Sequence, residues 1–210
     1  MKLFYFFFFI FLLIFTSCMS LILPTGNIRK GDYNPKQIDS ILVYNPVALI
    51  LIENNENISN ADSALEKIVR INLKDGVDEY LKIPHKYCIL DDDEQKNLDT
   101  ILMQYMLILK DEKNLKKFKV PPEVLNTLEY NKLNYAMIIG SISWTNTKKP
   151  AKYESSIGVA MASSHVYCIL FERKNKSIIF YGDDIKHNTD PTFKDYTDEQ
   201  IKKMIDNIIE

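Results

Sequence analysis

The hydrophobic positions that follow residue 37 recur with two different periods, one typical of strands and one typical of helices. Runs rich in Val, Ile and aromatic residues predict strands at 41–44, 47–52, 86–90, 135–144, 166–172 and 178–181. Apolar residues spaced three and four apart predict helices after the polar or proline-containing starts at 57–62, 91–94, 121–123 and 197–200. This alternation predicts an α/β fold (an α+β two-layer sandwich), in which a mixed sheet packs against helices in the order β-α-β-α-α-β-β-β-α.

Four local features refine this prediction. Pro46 interrupts the opening strand, because proline cannot donate a ladder hydrogen bond. Gly76 is expected to break the first helix near its end. The run 91–94, Asp-Asp-Asp-Glu, places acidic residues at the positive end of the second helix dipole. The sequence Thr-Asp-Glu-Gln at 197–200 has the capping-box pattern, which predicts that the last helix begins there.

The strand predicted at 166–172 has apolar residues at both alternating sets of positions. His165, Tyr167, Ile169 and Phe171 share one face, whereas Val166, Cys168 and Leu170 share the other. A strand that is apolar on both faces is expected in the middle of a sheet. The polar residues 173–177 then predict a hairpin loop to the next strand, and residues 183–190 after that strand are expected to form a polar loop in which His187 is solvated.

The amino terminus has the pattern of an export signal. Lys2 is followed by the uncharged run 3–15 and by two small polar residues, and Cys18 comes next. The sequence 15–18, Phe-Thr-Ser-Cys, resembles the bacterial lipobox, with Phe15 in place of the usual Leu. The resemblance implies a lipoprotein signal peptide at 1–17 and a diacylglycerol on the Cys18 thiol. The alternative is a retained single-pass anchor over residues 3–23, which polar residues interrupt in the middle of the span.

These features divide the chain into a signal peptide at 1–17, a lipidated tether at 18–36 and a single periplasmic α/β domain at 37–210. The tether contains Pro24, Gly26 and Gly31 among polar residues. No acidic cluster follows Cys18, which favours a position on the outer membrane facing the periplasm.

Composition and charge exclude several classes of protein. The chain has 210 residues, of which 46% are hydrophobic and 26% are charged, and its net charge is −2. This balance excludes a disordered chain and a nucleic-acid partner bound through a basic surface. Seven of the 11 Phe residues lie in the first 17 positions and no other stretch is uniformly apolar, so a polytopic membrane protein is also excluded.

Two His-x-x-Cys sequences, 85–88 and 165–168, raise the question of a zinc site. Side chains three apart on a strand point to opposite faces, so each pair diverges and no metal site is expected. A disulfide between Cys88 and Cys168 suits an oxidising compartment and would add about 4 to 5 kcal/mol in the chain-entropy model. The alternative is a pair of buried free thiols on adjacent strands.

The sequence gives no support for an enzyme. A Cys168 nucleophile would need one of the three histidines as its base, and His165 is predicted on the opposite face of its strand. The nucleophile elbow, the phosphate loop and the zincin helix do not occur. The acidic run 91–94 does not have the spacing or the turn glycine of an EF-hand. We therefore expect no catalytic residues and no cofactor.

A small, uncharged segment at 155–164 precedes one of the predicted strands. Its small residues favour the start of a long buried strand, because they permit close packing. The alternative is a mobile loop that contacts a partner or a bilayer through Ile157, Gly158, Val159, Ala160 and Met161.

The layout resembles the periplasmic lipoprotein domains related to the amino-terminal domain of TolB and to the curli-secretion lipoprotein (CsgG-like), with uncharacterised relatives in Bacteroidetes-type bacteria. The resemblance depends on the opening strand 40–43, on Pro-Pro-Glu at 121–123 followed by Leu125 and Leu128, on the segment 134–140 and on the closing hairpin. The sequence Asn-Pro at 45–46 departs from the paired prolines and Asn-rich turn that such domains often have there. The resemblance implies a non-enzymatic domain that binds other proteins or assembles into envelope machines.

The sequence therefore predicts a membrane-anchored envelope lipoprotein with a protein-binding or scaffolding domain. Its expected partners are the membrane, through the amino-terminal lipid, and an envelope protein or further copies of the chain. A periplasmic hydrolase acting on cell-wall or glycan material and a signal-anchored protein are the alternatives.

Overall fold

The computed structural model describes residues 28–31, 33–53, 58–59, 63–111, 115–146, 162–187, 189–190 and 192–210. The strands are β1 Ile28–Lys30, β2 Ile41–Val43, β3 Val47–Glu53, β4 Ile58–Ser59, β5 His85–Tyr87, β6 Tyr135–Asn146, β7 Ala162–Glu172 and β8 Ser177–His187. The helices are α1 Ser63–Tyr80, α2 Asp92–Asp111, α3 Pro122–Tyr130 and α4 Lys194–Ile209, and short 3-10 turns lie at Pro35–Gln37 and Leu115–Lys117.

The strands form one mixed sheet in the order β1-β8-β7-β6-β2-β5. β6 runs parallel to β2 and β3, whereas β6, β7 and β8 form an antiparallel meander. The α/β class and the mixed sheet are therefore confirmed. β7 lies between β6 and β8, and turn residues 173–176 connect it to β8, so the central strand and its hairpin are confirmed as well.

The break at Pro46 divides the opening strand into two pieces that pair with the same neighbour. β2 pairs with residues 135–137 of β6, and β3 pairs with residues 140–146. The predicted interruption is therefore observed, and the chain resumes parallel pairing with β6 after it, with the register shifted by one residue.

Helices cover both faces of the sheet. On one face α1 and α4 bury apolar residues that include Val69, Leu73, Ile201 and Met204. On the other face α2 and α3 bury their predicted stripes, which include Leu98, Leu102, Leu109, Val124 and Leu128. Each such side chain contributes about 1.5–3 kcal/mol when it is fully buried. The sheet is thus the middle of three layers, where the sequence predicted two.

Gly76 does not break α1, which continues to Tyr80. A Cβ atom at position 76 would lie 2.5 Å from Cδ1 of Ile201, a buried residue of α4. The glycine therefore permits close approach of α1 to α4, and this packing outweighs its low helix propensity.

Part of the segment predicted as a tether belongs to the sheet. Ile28–Lys30 forms β1, which pairs antiparallel with β8, and the N–H of Gly31 donates to the carbonyl oxygen of Ile179 at 2.6 Å. The guanidinium of Arg29 donates to the carbonyl oxygen of Leu109 and lies over the Tyr181 ring. The prediction of a tether through residue 36 is wrong for these residues, because their backbone groups complete the edge of β8.

The last helix begins at Lys194, three residues before the predicted capping box. Thr197 lies within the first turn and is buried, and its hydroxyl donates to the carbonyl oxygen of Phe193 at 3.3 Å. The predicted start at Thr197 is therefore wrong, because its hydroxyl bonds back to the preceding turn instead of capping a new one.

Cys88 and Cys168 are free, buried thiols. Cys88 follows β5 and packs against α2 and α3, whereas Cys168 on β7 packs against α1 and α4 on the opposite face. Strands β2 and β6 lie between β5 and β7. The possible disulfide is not formed, because the two thiols are separated by two strands and by the thickness of the sheet. The alternative of free thiols is observed, although their strands are not adjacent.

Within the described residues, none of the helices combines the length and the hydrophobicity that a membrane span requires. The predicted signal peptide, the Cys18 lipidation site and the segment 157–161 lie outside the described residues.

Candidate functional site

A groove lies beside β5, at one edge of the sheet. It consists of two adjoining cavities of about 290 and 490 Å³ that share the lining residues Leu90, Glu94, Asn126 and Thr127. The inner cavity extends to Tyr44, and the outer cavity extends to Tyr87 and Ile89 on the strand side and to Tyr130 on α3. We call the two cavities together the β5 groove.

Beside the outer cavity, β5 presents backbone groups that have no strand partner in the described part of the chain. Its sheet neighbour among the described residues is β2, and the bonds between them include Ile41 N–H to Pro84 O at 3.0 Å and Cys88 N–H to Val43 O at 2.8 Å. Alternate residues of a parallel strand bond to the same neighbour. The backbone N–H and C=O groups of His85 and Tyr87 therefore face away from β2, where a further strand could pair with them.

A cluster around Asp78 of α1 holds β5 from the other face of the sheet. The Asp78 carboxylate accepts a hydrogen bond from Tyr87 Oη at 2.8 Å, pairs with Lys74 Nζ at 2.7 Å and lies 3.2 Å from His85 Nε2. Partial burial raises the pKa of Asp78, but the hydrogen bonds from Lys74, Tyr87 and His85 outweigh it and lower that pKa below its ordinary value. The ionised Asp78 carboxylate thus holds the side chains of His85 and Tyr87, the two residues whose backbone groups face away from β2.

The beginning of α2 forms one wall of the groove. Asp91 Oδ1 accepts the N–H groups of Asp93 and Glu94, at 3.1 and 2.8 Å, and Glu94 Oε2 accepts the N–H of Asp91 at 3.3 Å. This reciprocal capping confirms the predicted acidic start of the helix. It also holds the Glu94 carboxylate at the groove, where Leu98 lies one turn further along.

The opposite wall is α3, whose first residue is Pro122. Proline suits the first turn because its missing N–H would have no helical partner there. Val124 and Leu128 are buried against the sheet, which turns Glu123, Asn126 and Thr127 toward the groove. The Thr127 hydroxyl donates to the carbonyl oxygen of Glu123 at 2.8 Å.

Tyr44 lines the inner cavity, although the sequence analysis did not identify it as a candidate site residue. The residue follows β2, its N–H donates to the carbonyl oxygen of Met137 at 3.0 Å, and it is 1% exposed. Its hydroxyl is buried without a hydrogen-bond partner among the described residues. The Thr127 hydroxyl, which donates to Glu123, lies near the Tyr44 hydroxyl without a hydrogen bond of normal geometry. Burial raises the pKa of Tyr44 well above its ordinary value and outweighs the lowering effect of Thr127, so the hydroxyl keeps its proton and remains a donor.

The mouth of the groove carries two strongly exposed apolar side chains. Ile89 is 93% exposed and Tyr130 is 87% exposed. Both line the outer cavity, one beside the strand and one at the end of α3. Apolar groups at the rim of a concave surface are typical of a contact surface for another molecule.

Cys88 lines the outer cavity, but its thiol is not suited to nucleophilic chemistry. The residue is 5% exposed. Burial raises the pKa of the Cys88 thiol, and the charge of Glu94 raises it further while Lys86 lowers it. A reactive cysteine requires a lowered pKa. The groove therefore offers hydrogen-bonding groups and charge for binding, without an activated nucleophile at Cys88.

The other residues considered for catalysis do not converge on the groove or on one another. Cys168 is fully buried, and burial raises the pKa of its thiol far above the ordinary value. His165 lies on the opposite face of β7, with Nε2 3.3 Å from the buried Asp183 carboxylate. His187 is the last residue of β8 and its Nε2 is buried, so the prediction that it lies solvated in a loop is wrong.

Comparisons with known proteins leave the family of this chain open. No protein-family model matches it, and no curated protein sequence matches it. Similar solved structures include the PelC dodecamer from Paraburkholderia phytofirmans, at TM-score 0.39 and 10% identity over 87% of this chain and 96% of that chain.

The LpoB C-terminal domain from Salmonella enterica has TM-score 0.33 and 10% identity over 74% of this chain and 87% of that one. A neuraminyllactose-binding hemagglutinin homolog from Helicobacter pylori has TM-score 0.33 and 12% identity over 86% and 81% of the two chains. Similarity at this level carries no argument about function.

Proposed function

We propose that this chain is a lipid-anchored envelope protein whose α/β domain binds another protein at the β5 groove and catalyses no reaction. The observation that carries the proposal is the combination, at one sheet edge, of outward-facing backbone groups on β5 with a concave surface and exposed apolar side chains. Addition of a strand to such an edge is a common mode of protein recognition.

The order of strands separates the groove from the proposed anchor. β1 and β5 lie at opposite ends of the strand path, five strand spacings or about 24 Å apart. Ten residue steps separate Cys18 from Ile28, the first residue of β1, which limits that distance to about 36 Å. A lipid on Cys18 would therefore hold the β1 edge near the bilayer and leave the β5 edge available to a partner.

The anchor is tested by the intact mass of the protein from the membrane fraction. The proposal expects a chain that begins at Cys18 and carries acyl groups, and it expects the Cys18→Ser variant to lack both the processing and the acyl mass. A full-length unacylated chain would support the retained anchor instead.

The groove is tested by site-specific photocrosslinking in native membranes. A photoreactive residue at position 89 or 130 should give a defined adduct with one envelope protein, because both positions lie at the mouth of the groove. The matched control is position 193 before α4, where Phe193 is 60% exposed on a different part of the surface. Equal adducts from position 193, or none from positions 89 and 130, would refute the groove as the binding surface.

A further inference from the structure

We infer that the inner cavity of the β5 groove binds the cationic side chain, lysine or arginine, of an extended partner segment. This inference rests on the proposed function and names the chemistry of the partner. The inner cavity has a volume of about 290 Å³, which suits one long side chain better than a folded element. Its lining combines the carboxylates of Glu94 and Glu123 with the hydroxyl of Tyr44.

Charge complementarity favours a cation. Among the described residues, those that line the two cavities include two glutamates and no lysine, arginine or histidine. Lys86 is on β5 itself but lines neither cavity. Glu94 of α2 and Glu123 of α3 line the same inner cavity, so a cation inside it would interact with both.

The buried Tyr44 hydroxyl is a second, independent observation. It makes no hydrogen bond of normal geometry among the described residues, and the nearby Thr127 hydroxyl donates its proton to Glu123 instead. Buried hydroxyls of this kind are uncommon because they lose their hydrogen bonds to water on burial. An ammonium or guanidinium N–H that reached the base of the cavity would donate to the Tyr44 oxygen. The apolar side chains of Leu90 and Leu98 would meanwhile contact the methylene groups of the same lysine or arginine.

The connection to the outer cavity indicates how the remainder of the partner would lie. The two cavities share Leu90 and Glu94, which follow β5 closely in the chain. An extended segment paired with the outward backbone groups of His85 and Tyr87 would run beside this junction. One of its side chains could then enter the inner cavity, as alternate side chains do in strand addition.

The test measures, by fluorescence anisotropy, the binding of two peptides to the protein extracted from membranes into detergent micelles. One peptide is an acetylated and amidated heptamer of alternating threonine and valine with a central arginine, and the other carries citrulline in its place. Citrulline has nearly the same shape but no charge. We expect the arginine peptide to bind about tenfold more tightly, and the difference to shrink as the salt concentration rises.

Two variants and one control locate the effect. Glu123→Gln should weaken the arginine peptide about tenfold and leave the citrulline peptide unchanged. Tyr44→Phe should weaken it about threefold, and it removes a hydroxyl with no partner in the described residues, so the fold is expected to persist. The control is Glu129→Gln, on an exposed residue of the same helix that lines neither cavity.

Equal binding of the two peptides, an unchanged Kd in Glu123→Gln, or no binding of the arginine peptide at millimolar concentration would overturn the inference. Photocrosslinking from position 89 then shows whether only this inference fails or the proposed function fails with it. If the adduct with the envelope protein persists while the peptide results fail, the groove still binds a partner but not through a cation. If both fail, the proposed function falls as well.

Discussion

Replacement of Gly140 by alanine tests the packing at the centre of the sheet. Gly140 of β6 lies opposite Tyr167 of β7 in the strand register, and Tyr167 is fully buried. A Cβ atom at position 140 would lie 2.5 Å from the Tyr167 hydroxyl oxygen, 2.6 Å from Cζ and 3.0 Å from Cε1. The tyrosine ring thus lies across the glycine, and a rigid ring in a full core cannot move aside without displacing its neighbours.

Two effects of opposite sign decide the result. Replacing a strand glycine by alanine ordinarily stabilises by about 0.5–1 kcal/mol, because the unfolded chain loses freedom. Overpacking a core costs about 1–3 kcal/mol, and here the hydroxyl oxygen and two ring carbons of Tyr167 are too close. We therefore expect Gly140→Ala to lower the free energy of unfolding by about 1–2 kcal/mol, and the Tm by about 2–4 °C for each kcal/mol.

Urea unfolding followed by circular dichroism measures this change, and a double-mutant cycle assigns its cause. In a Tyr167→Leu background the ring is absent, so the same alanine should be neutral or stabilising by about 0.5 kcal/mol. The reasoning is refuted if Gly140→Ala is as stable as the native protein when Tyr167 is present. It is also refuted if the loss is the same in both backgrounds.

Three further outcomes are expected from buried groups. Ellman's reagent should not react with Cys88 or Cys168 until denaturant is added, because both thiols are buried with raised pKa values; rapid labelling of either in the native protein would contradict this. Burial raises the pKa of Tyr33 to about 12, so its contribution to stability is complete below about pH 10 and is lost as the pH rises toward 12. The free energy of unfolding should therefore fall less steeply with pH in Tyr33→Phe than in the native protein between about pH 10 and 12. An unchanged slope in the variant would show that Tyr33 does not contribute to this pH dependence. Gln200→Leu should destabilise by about 2 kcal/mol or more, since the fully buried amide bonds to Ser164 and to the β8 backbone; denaturant unfolding that shows no loss would contradict this.

The sequence predicts the elements whose apolar periodicity continues without interruption. The stripe of α2, the strand β7 and the hairpin that follows it are observed because each depends on a local pattern that the core then buries. The carboxyl-terminal half of β8 was missed, because Asp183 and Asp184 are charged and resemble loop residues. In the structure Tyr181 donates to the Asp183 carboxylate at 3.3 Å, and Lys203 of α4 pairs with Asp184.

The candidate site could not be predicted in the same way, because it is assembled from three separate parts of the chain. Tyr44 follows β2, Glu94 begins α2, and Glu123 begins α3. Each residue has an ordinary local explanation, as a core aromatic residue or as an acidic residue at a helix start. Only the placement of α2 and α3 side by side on one face of the sheet brings the three groups together. Sequence periodicity predicts which side of a helix is buried, but it does not predict which other helix lies next to it.

The break at Pro46 connects the groove with the packing of the two helical layers. The carbonyl oxygen of Pro46 accepts a hydrogen bond from Arg70 Nη1 of α1 at 2.8 Å, and Arg70 Nη2 pairs with Asp99 of α2 at 3.1 Å. Because α1 and α2 lie on opposite faces of the sheet, this bridge joins the layers where the strand is interrupted. Tyr44 lies two residues before the break. A continuous strand would hold that carbonyl in the ladder. The interruption at Pro46 leaves the carbonyl free to accept from Arg70, and this one arginine thereby links both helical layers.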